Sequence, residues 1–405
     1  MSRTYGWRRC WVLGLTLGCV AWLPARAELV IKSFGATGQL VFQTLADGTN
    51  YNYRVEWAPA VTGPWSTFTG AGSWLDTIVA AQGGSVTSTV PMCYRVVAWP
   101  GDYLVVDLSG GTTAKSYPVS YYRTLADVPG GANSDAYKTT NLLLRLIPKG
   151  TFTMGSPTNE GFSVEAQHVV TLSRDFYIGV FQVTQQQWAQ VMSNWPSYFT
   201  NASYSATRPV ERVSYNDIRG ASAGASWPTN NNVDETSFMG VLRARTGLTF
   251  DLPTESQWEY ACRAGTTTAL NSGCNLIYPW VWEDPNMDAV GRYFYWGTYD
   301  EDAVEQNADT SRGTAKVGSY QPNAWGLYDM HGNVWECCLD WYNAAYPLGP
   351  VTDPRGATSG TLRAFRGGTW YDFAEYERSA SRGGMTPDGS NWIAGFRALL
   401  LPSGR

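Results

Sequence analysis

The sequence predicts a chain of two parts, a small all-β module followed by an α+β domain rich in irregular loops. Short runs that alternate apolar and polar residues fill the segment up to about residue 100, as expected of strands with one buried face. From about residue 143, single strands are followed by short helices that begin at clear capping residues. At 405 residues, the chain has room for both parts.

The first 27 residues have the pattern of a secretory signal peptide. Three arginines flank the start of the apolar run 10–23, and the small residues Ala25 and Ala27 form a cleavage site before Glu28. No later stretch is long and apolar enough to span a bilayer. We therefore expect an exported protein, secreted or periplasmic, without a membrane span.

The charge and the histidine content argue against two classes of function. The signal segment contains four of the 29 basic residues and no acidic one, so its removal changes the net charge from −5 to −9. An acidic surface argues against nucleic acid and anionic membranes as partners. The chain has only two histidines, His168 and His331, which argues against a histidine-rich zinc or iron centre.

Residues 28–100 are predicted to form a small sandwich of the fibronectin type. Alternating runs such as the one at 53–57, Tyr-Arg-Val-Glu-Trp, give each strand one face for a core and one for water. Roughly four to seven such strands are expected in this module. Residues 101–142 are rich in Gly, Ser and Pro and are predicted to be a transition or linker.

The remaining domain, residues 143–402, is predicted to contain three short helices. The segments 184–187 and 254–257 both have threonine followed three residues later by glutamine, which is the spacing of a capping box. A third helix is predicted over 236–245, ahead of a glycine.

Removal of the signal segment leaves an odd number of cysteines, so at least one thiol stays unpaired within the chain. The remaining five are Cys93, Cys262, Cys274, Cys337 and Cys338. A bridge between the neighbours Cys337 and Cys338 would be strained. We expect one of these two to pair with Cys262 or Cys274, and the sequence leaves the connectivity open.

The segment 326–342, GLYDMHGNVWECCLDWY, contains a pattern suited to a calcium ion. Asp329 and Glu336 supply carboxylates, and the carbonyls of Gly332 and Val334 alternate inward between them. A glycine permits the sharp bend that this arrangement needs. The alternative interpretation is a polar turn before an aromatic strand.

Seven segments of this domain occur in the order typical of one enzyme family. They are IPKGTFTMGS (147–156), FYIGVFQVTQQQW (176–188), RPVERVSYND (208–217), DLPTESQWEYACRAGT (251–266), GLYDMHGNVWECCLDWY (326–342), RAFRGGTW (363–370) and GFRALL (395–400). Residues 143–402 thereby resemble the formylglycine-generating enzyme, or sulfatase-modifying factor, family. The resemblance implies a C-type-lectin-like α+β fold that is stabilised by calcium. It also implies copper(I) bound by two cysteines, with which active members oxidise a substrate cysteine to formylglycine.

The resemblance implies two calcium sites. The first uses the four ligands already named, with Asp329 in the place of the family's asparagine. The second would use Asp309 and Ser311, and its other ligands would fall at Tyr293 and Phe294. A tyrosine replaces an amide oxygen poorly, so we expect the second site to be incomplete.

The resemblance breaks down at the family's active site. The two cysteines should follow the Arg-Gly-Gly-Thr motif, but residues 366–384 contain none. Asp372 stands in the place of the first, and the shortened stretch Ala374–Glu377 replaces the second. Copper(I) and thiol exchange both require thiolates, so copper is not expected here. Cys262 also lacks its family disulfide partner, because Ser379 occupies that position.

The family's substrate groove is expected to be lined by aromatic and charged residues. These are Arg366, Thr369, Trp370, Asp372, Arg382 and Trp392. Alternatively, Arg366 and Arg382 form structural ion pairs and the tryptophans fill the core. For His331, a packing or hydrogen-bonding role is favoured over that of a general base.

The leading interpretation is an exported, calcium-stabilised family member without the cysteine pair. It would bind a protein, peptide or glycan in the aromatic groove or catalyse a different reaction. One alternative is a sulfatase-activating thiol oxidase with another thiol arrangement, for which Cys337 and Cys338 are the only adjacent pair. Another is a carbohydrate-binding or adhesion module, which rests on analogy with lectins.

Overall fold

The structure is a computed structural model that describes most of the chain beyond residue 100. It covers the strands named below between residues 30 and 99, and residues 101–158, 160–278, 283–294, 312–343, 345–346 and 349–402. The predicted signal peptide lies outside the described residues.

The N-terminal module supplies five described strands. They are β1 (Val30–Phe34), β2 (Leu40–Gln43), β3 (Asn52–Ala58), β4 (Ser66–Thr67) and β5 (Cys93–Trp99). β1 and β2 form an antiparallel pair, and β3 lies between β4 and β5 in an antiparallel sheet. These strands agree with the predicted all-β character, and the packing of the sheets into a sandwich stays a prediction.

The chain from Tyr103 onward combines short helices with many short strands. The described α-helices are α1 (Gln185–Met192), α2 (Tyr215–Arg219), α3 (Phe238–Thr246), α4 (Glu255–Arg263) and α5 (Pro285–Asp288). The described strands are β6 (Tyr103–Asp107), β7 (Val119–Tyr122), β8 (Asn141–Ile147), β9 (Gly150–Met154), β10 (His168–Leu172), β11 (Phe176–Gly179), β12 (Phe250–Asp251), β13 (Gly291–Arg292), β14 (His331–Gly332), β15 (Trp335–Trp341), β16 (Val351–Thr352), β17 (Arg363–Arg366), β18 (Arg382–Met385), β19 (Ala394–Gly395) and β20 (Leu399–Leu400).

The largest sheet shows that residues 101–142 are not simply a linker. Its six strands lie in the order β12-β20-β11-β8-β6-β7. β6 pairs with β8 along its whole length, from Tyr103 opposite Arg145 to Asp107 opposite Asn141. Four of the five residues of β6 are buried. Because this segment is rich in turn residues, its two short strands, β6 and β7, are not evident from the sequence. They are recognised by the pairing of β6 with β8 and with β7.

The helix starts follow the capping residues. Both predicted capping boxes are confirmed, at Thr184 for α1 and at Thr254 for α4. α3 begins at Phe238, two residues later than predicted, because the Ser237 side chain accepts a hydrogen bond from Gly240 N and caps the helix there. The helix ends before Gly247, which has a φ of 71°.

The remaining sheets carry the segments with functional patterns. A four-stranded sheet has the order β18-β17-β15-β19, β13 pairs with β14, and β9, β10 and β16 form a third sheet. Trp258 of α4 is fully buried, whereas Trp335 and Trp341 at the two ends of β15 are only partly buried. In the described part of the chain, no helix is long and apolar enough to cross a membrane.

The expected disulfide is not formed. Cys262, Cys274, Cys337 and Cys338 are all free thiols in this structure. Cys274 is exposed, while the other three are buried in α4 and β15. Cys337 and Cys338 occupy successive positions of a strand, and their side chains therefore point to opposite faces of the sheet.

Candidate functional site

The predicted calcium loop is a tightly bent segment that ends in β15. Asp329, Gly332 and Asn333 have φ angles of 55°, 77° and 70°, all in the left-handed region. A Cβ atom on Gly332 would lie 1.9 Å from the carbonyl oxygen of Arg292, so only glycine fits there. The glycine requirement predicted for this bend is thus confirmed.

Four oxygens of the loop converge on the side chain of Gln182. The Gln182 Nε2 atom lies 3.3 Å from Asp329 O, 3.2 Å from Gly332 O, 3.3 Å from Val334 O and 3.1 Å from Glu336 Oε1. Gln182 is itself 1% exposed and follows β11 in sequence. The structure therefore brings three of the predicted donor atoms together, and adds the main-chain oxygen of Asp329 in place of its carboxylate.

Glu336 is held by two neighbours in the core. Arg397 donates from Nε to Oε2 at 2.5 Å and from Nη2 to Oε1 at 2.6 Å, and Trp258 Nε1 donates to Oε2 at 2.6 Å. Arg397 also donates to the carbonyl oxygens of Gly179, Tyr328 and Asp329. One guanidinium group thus ties the loop to β11 of the largest sheet.

The Asp329 carboxylate is buried and only half satisfied. Its Oδ2 atom accepts a hydrogen bond from Gly318 N at 2.7 Å, whereas its Oδ1 atom has no partner in the described residues. Burial raises the pKa of Asp329 to about 6, against the opposing effects of the Gly318 bond and of Arg397. Gln182 Oε1 is likewise buried without a partner there.

These observations fit a calcium ion held by Asp329, Gly332, Val334 and Glu336. The atoms that meet in the loop are oxygens from main chain and side chains, the type of ligand that calcium prefers. Two buried oxygens without partners, on Asp329 and Gln182, are what an ion would satisfy. Within the described ranges, no group of three or more His, Cys, Asp or Glu side chains could hold a metal. A site in this loop accordingly depends on carbonyl oxygens.

His331 has a structural role inside the loop. Its Nδ1 atom lies 2.6 Å from Glu377 O, and its Nε2 atom lies 3.0 Å from Asn271 N. The first nitrogen must donate and the second must accept, so both are committed to the backbone. Complete burial lowers the pKa of His331 to about 4. This supports the hydrogen-bonding interpretation over that of a general base.

The doubtful second calcium site is described only in part. Asp309 and Ser311 lie outside the described residues. Tyr293, at the position of the family's amide ligand, is buried, and its hydroxyl contacts Asp288 Oδ1 at 2.5 Å and receives a bond from Asp284 N at 2.7 Å. The tyrosine side chain is therefore engaged with α5 and its cap.

At the family's active-site position, two carboxyl groups stand near each other in sequence. Asp372 is partly buried, and its Oδ2 accepts a hydrogen bond from Trp335 Nε1 at 2.8 Å. Burial raises its pKa to about 6. Glu377 is fully buried, accepts from Thr369 N at 2.9 Å, and has a pKa raised well above its usual range by burial and by the charge of Asp372. A Cβ atom on Gly368 would lie 2.2 Å from the Glu377 carboxylate, so this glycine makes room for it.

A row of aromatic rings borders Asp372, and we call it the aromatic strip. It consists of Trp392, Tyr198, Phe199, Trp370 and Tyr371, whose successive ring centroids are 5.1–5.4 Å apart. Trp392 and Tyr371 are each 37% exposed, while Trp370 and Thr369 are buried. Of the predicted groove residues, Asp372 and Trp392 are thus partly exposed, whereas Thr369 and Trp370 are buried.

The two predicted groove arginines are both engaged in buried ion pairs. Arg382 binds Glu255 with two hydrogen bonds of 2.6 and 2.7 Å, and its guanidinium lies 3.9 Å from the ring centroid of Tyr346. Arg366 is fully buried and pairs with Glu259. These contacts agree with the alternative interpretation, in which Arg366 and Arg382 form structural ion pairs.

Within the segment 366–384, Ser379 contacts Cys262. Ser379 Oγ lies 3.6 Å from Cys262 Sγ, so the serine faces the cysteine whose partner it replaces. Sequence reasoning missed Gln182 and Arg397. The only available signal was their occurrence as single polar residues within the apolar runs 176–183 and 395–400.

Comparison with known proteins places this geometry in a family. Residues 132–400 match the family model of the sulfatase-modifying factor enzyme 1-like domain. The formylglycine-generating enzyme of Thermomonospora curvata is 30% identical over 293 residues, which are 63% of this chain and 92% of that enzyme. The inactive C-alpha-formylglycine-generating enzyme 2 of Bos taurus is 25% identical over 283 residues, 62% of this chain and 85% of that protein.

A solved structure extends the comparison. Treponema denticola variable protein 1 is 25% identical and aligns with a TM-score of 0.49 over 65% of this chain and 96% of its own. The domain from residue 132 has the C-type-lectin-like α+β fold that the sequence motifs implied. The chain therefore belongs to the formylglycine-generating enzyme, or sulfatase-modifying factor, family.

Proposed function

We propose that this protein is an exported, calcium-stabilised member of the family that binds a ligand at the aromatic strip and does not oxidise thiols. One observation carries the proposal: Asp372 and the stretch Ala374–Glu377 stand where active members need two cysteines. A carboxylate can neither bind copper(I) well nor exchange with a substrate thiol. The inactive bovine relative is a precedent for the family fold without the activity.

The remaining thiols support the same conclusion. Thiol exchange requires a reachable thiolate. Cys262, Cys337 and Cys338 are buried, and burial raises the pKa of each, to about 12 for Cys262 and well above the usual range for the other two. Of these four thiols, Cys274 alone is exposed, and it forms no disulfide. A copper pair formed by Cys337 and Cys338 would need both of these buried side chains to turn to one side.

The aromatic strip is the surface best suited to a ligand. Trp392 and Tyr371 are each 37% exposed, and the partly exposed Asp372, a hydrogen-bond acceptor, follows Tyr371 in sequence. Flat aromatic faces with one polar group suit a peptide or a glycan, in which apolar surface and hydrogen-bonding groups alternate. The rings beneath them, Phe199 and Trp370, keep this surface fixed.

Calcium and export complete the proposal. A calcium ion in the loop would offset the repulsion between the converging oxygens and link Asp329 to Glu336. Its binding would stabilise the native domain, since the ligands come together only there. The N-terminal signal pattern supports delivery to an oxidising compartment outside the cytoplasm, where millimolar calcium is available to a weak site.

The aromatic strip can be tested by intrinsic fluorescence with a panel of glycans and peptides. We expect binding by the mature protein and a loss of at least about tenfold in affinity for the double variant Tyr371→Ala/Trp392→Ala. Tyr278→Ala is the matched control, because Tyr278 is exposed on a different segment of the chain. Equal affinity of the double variant and the control would remove the strip from the binding site.

A further inference from the structure

We propose that Gln182 is a further ligand of the calcium ion, which it binds through its side-chain oxygen. This inference rests on the calcium site proposed above and adds a residue to it from a different part of the chain. The glutamine follows β11, about 150 residues before the loop in sequence. Its terminal amide is the group on which the oxygens of the loop converge.

The hydrogen bonds leave the oxygen of the Gln182 amide unsatisfied. An amide nitrogen has two hydrogens and can satisfy two acceptors well. Gln182 Nε2 faces four acceptors at 3.1–3.3 Å, two of which, Asp329 O and Glu336 Oε1, also accept from Arg397 Nη2, while Oε1 of the same amide is buried without a partner in the described residues. Rotation of the terminal amide by 180° exchanges its oxygen and its nitrogen, and the two orientations have nearly the same shape. The oxygen would then lie among the four loop oxygens.

A cation would stabilise such a cluster of five oxygens. Ligands that surround an ion octahedrally at about 2.3–2.4 Å lie about 3.3 Å from one another, which is within the range typical of calcium. The distances from the Gln182 amide to the four loop oxygens match this spacing between neighbouring ligands. Gln182 thus has the position of one further ligand in the shell to which Gly332, Val334 and Glu336 belong.

The charge around the amide is compatible with a cation. Asp329 and Glu336 contribute two carboxylates, and Arg397 offsets one of them through its paired hydrogen bonds to Glu336. Lys138 is the other cation that acts on Asp329. A neutral oxygen ligand from Gln182 adds coordination without adding charge, so it improves the shell of a weakly charged site.

The experiment is a calorimetric calcium titration of chelator-treated mature protein. We expect Gln182→Leu to lower the calcium affinity at least about tenfold, as loss of a group in or next to a metal shell typically does. Gln182→Glu should raise the affinity, because a carboxylate ligand adds negative charge. Gln185→Leu is the matched control, since Gln185 is also 1% exposed but bonds to Phe199 and Trp195 instead of the loop.

The outcomes separate this proposal from the calcium site itself. Wild-type affinity in both Gln182 variants would overturn the role of Gln182 and leave the loop site standing. Absence of calcium binding by the wild type would overturn both. If Gln182→Leu does not fold, Gln182→Glu decides alone: tighter binding supports the proposal, and weaker or unchanged binding contradicts it.

Discussion

The loop 329–336 and the segment 366–384 belong to one domain but differ in their polar side chains. In the loop, Gly332 permits the bend, and Arg397, Trp258 and Gln182 hold the Glu336 carboxylate. The segment lies beside the loop, where Gly332 N donates to Gly367 O, and it contains no cysteine. The residues that fix the loop and those of the segment 366–384 are different, so under the proposed function the second set could change without the first.

The largest expected effect is on the loop side. Glu336→Ala leaves Arg397 buried without its carboxylate and Trp258 Nε1 without its acceptor, so we expect a loss of about 3–5 kcal/mol in the free energy of unfolding. Calcium affinity should fall in the same variant. Denaturant unfolding of Asp388→Ala, at an exposed position, provides the baseline. A Glu336→Ala protein of unchanged stability that still holds calcium would assign this carboxylate no part in the loop.

The second prediction restores a family feature in the other segment. Ser379→Cys should form a disulfide with Cys262, because the serine oxygen lies 3.6 Å from the cysteine sulfur. The two positions are 117 residues apart, and such a bridge should add about 2–4 kcal/mol of stability under oxidising conditions. Mass spectrometry would detect the bridge, and reductant should abolish the gain in melting temperature. Two free thiols in the oxidised variant would mean that this segment does not follow the family's path.

The third prediction concerns a carboxyl group beneath the aromatic strip. Glu211 is fully buried, and its Oε1 accepts from Tyr198 N and Phe199 N, while Oε2 has no partner in the described residues. Burial raises its pKa from 4.5 to about 7. The folded state therefore holds the proton more tightly than the unfolded state, and its contribution to stability decreases as the pH rises from 4.5 to 7.

Replacing Glu211 tests whether its contribution to stability decreases as the pH rises. Glu211→Gln should remove up to about 3 kcal/mol of the difference in unfolding free energy between pH 4.5 and pH 7.5. The variant should therefore be more stable than the wild type at the higher pH. Urea unfolding of both proteins at the two pH values measures this, and parallel pH profiles would contradict the buried, proton-holding carboxyl.

The sequence predicted those parts of the domain that depend on local pattern. The capping boxes at Thr184 and Thr254 and the left-handed Gly332 follow from a few consecutive residues, and the structure confirms them. The long-range partners could not be found in this way. Nothing near Arg382 in sequence indicates that Glu255 binds it, and the convergence of the loop on Gln182 requires the folded chain. The absence of cysteines from residues 366–384, in contrast, can be read directly from the sequence.

The most direct test of the account is an oxidation assay read by mass spectrometry. Mature protein would be incubated under air with copper, a thiol reductant and a Cys-x-Pro-x-Arg peptide, beside the Thermomonospora curvata enzyme. We predict that the relative converts the peptide cysteine to an aldehyde and that this protein leaves it unchanged. Conversion by this protein would contradict the account, and Cys337 and Cys338 would then be the first residues to replace.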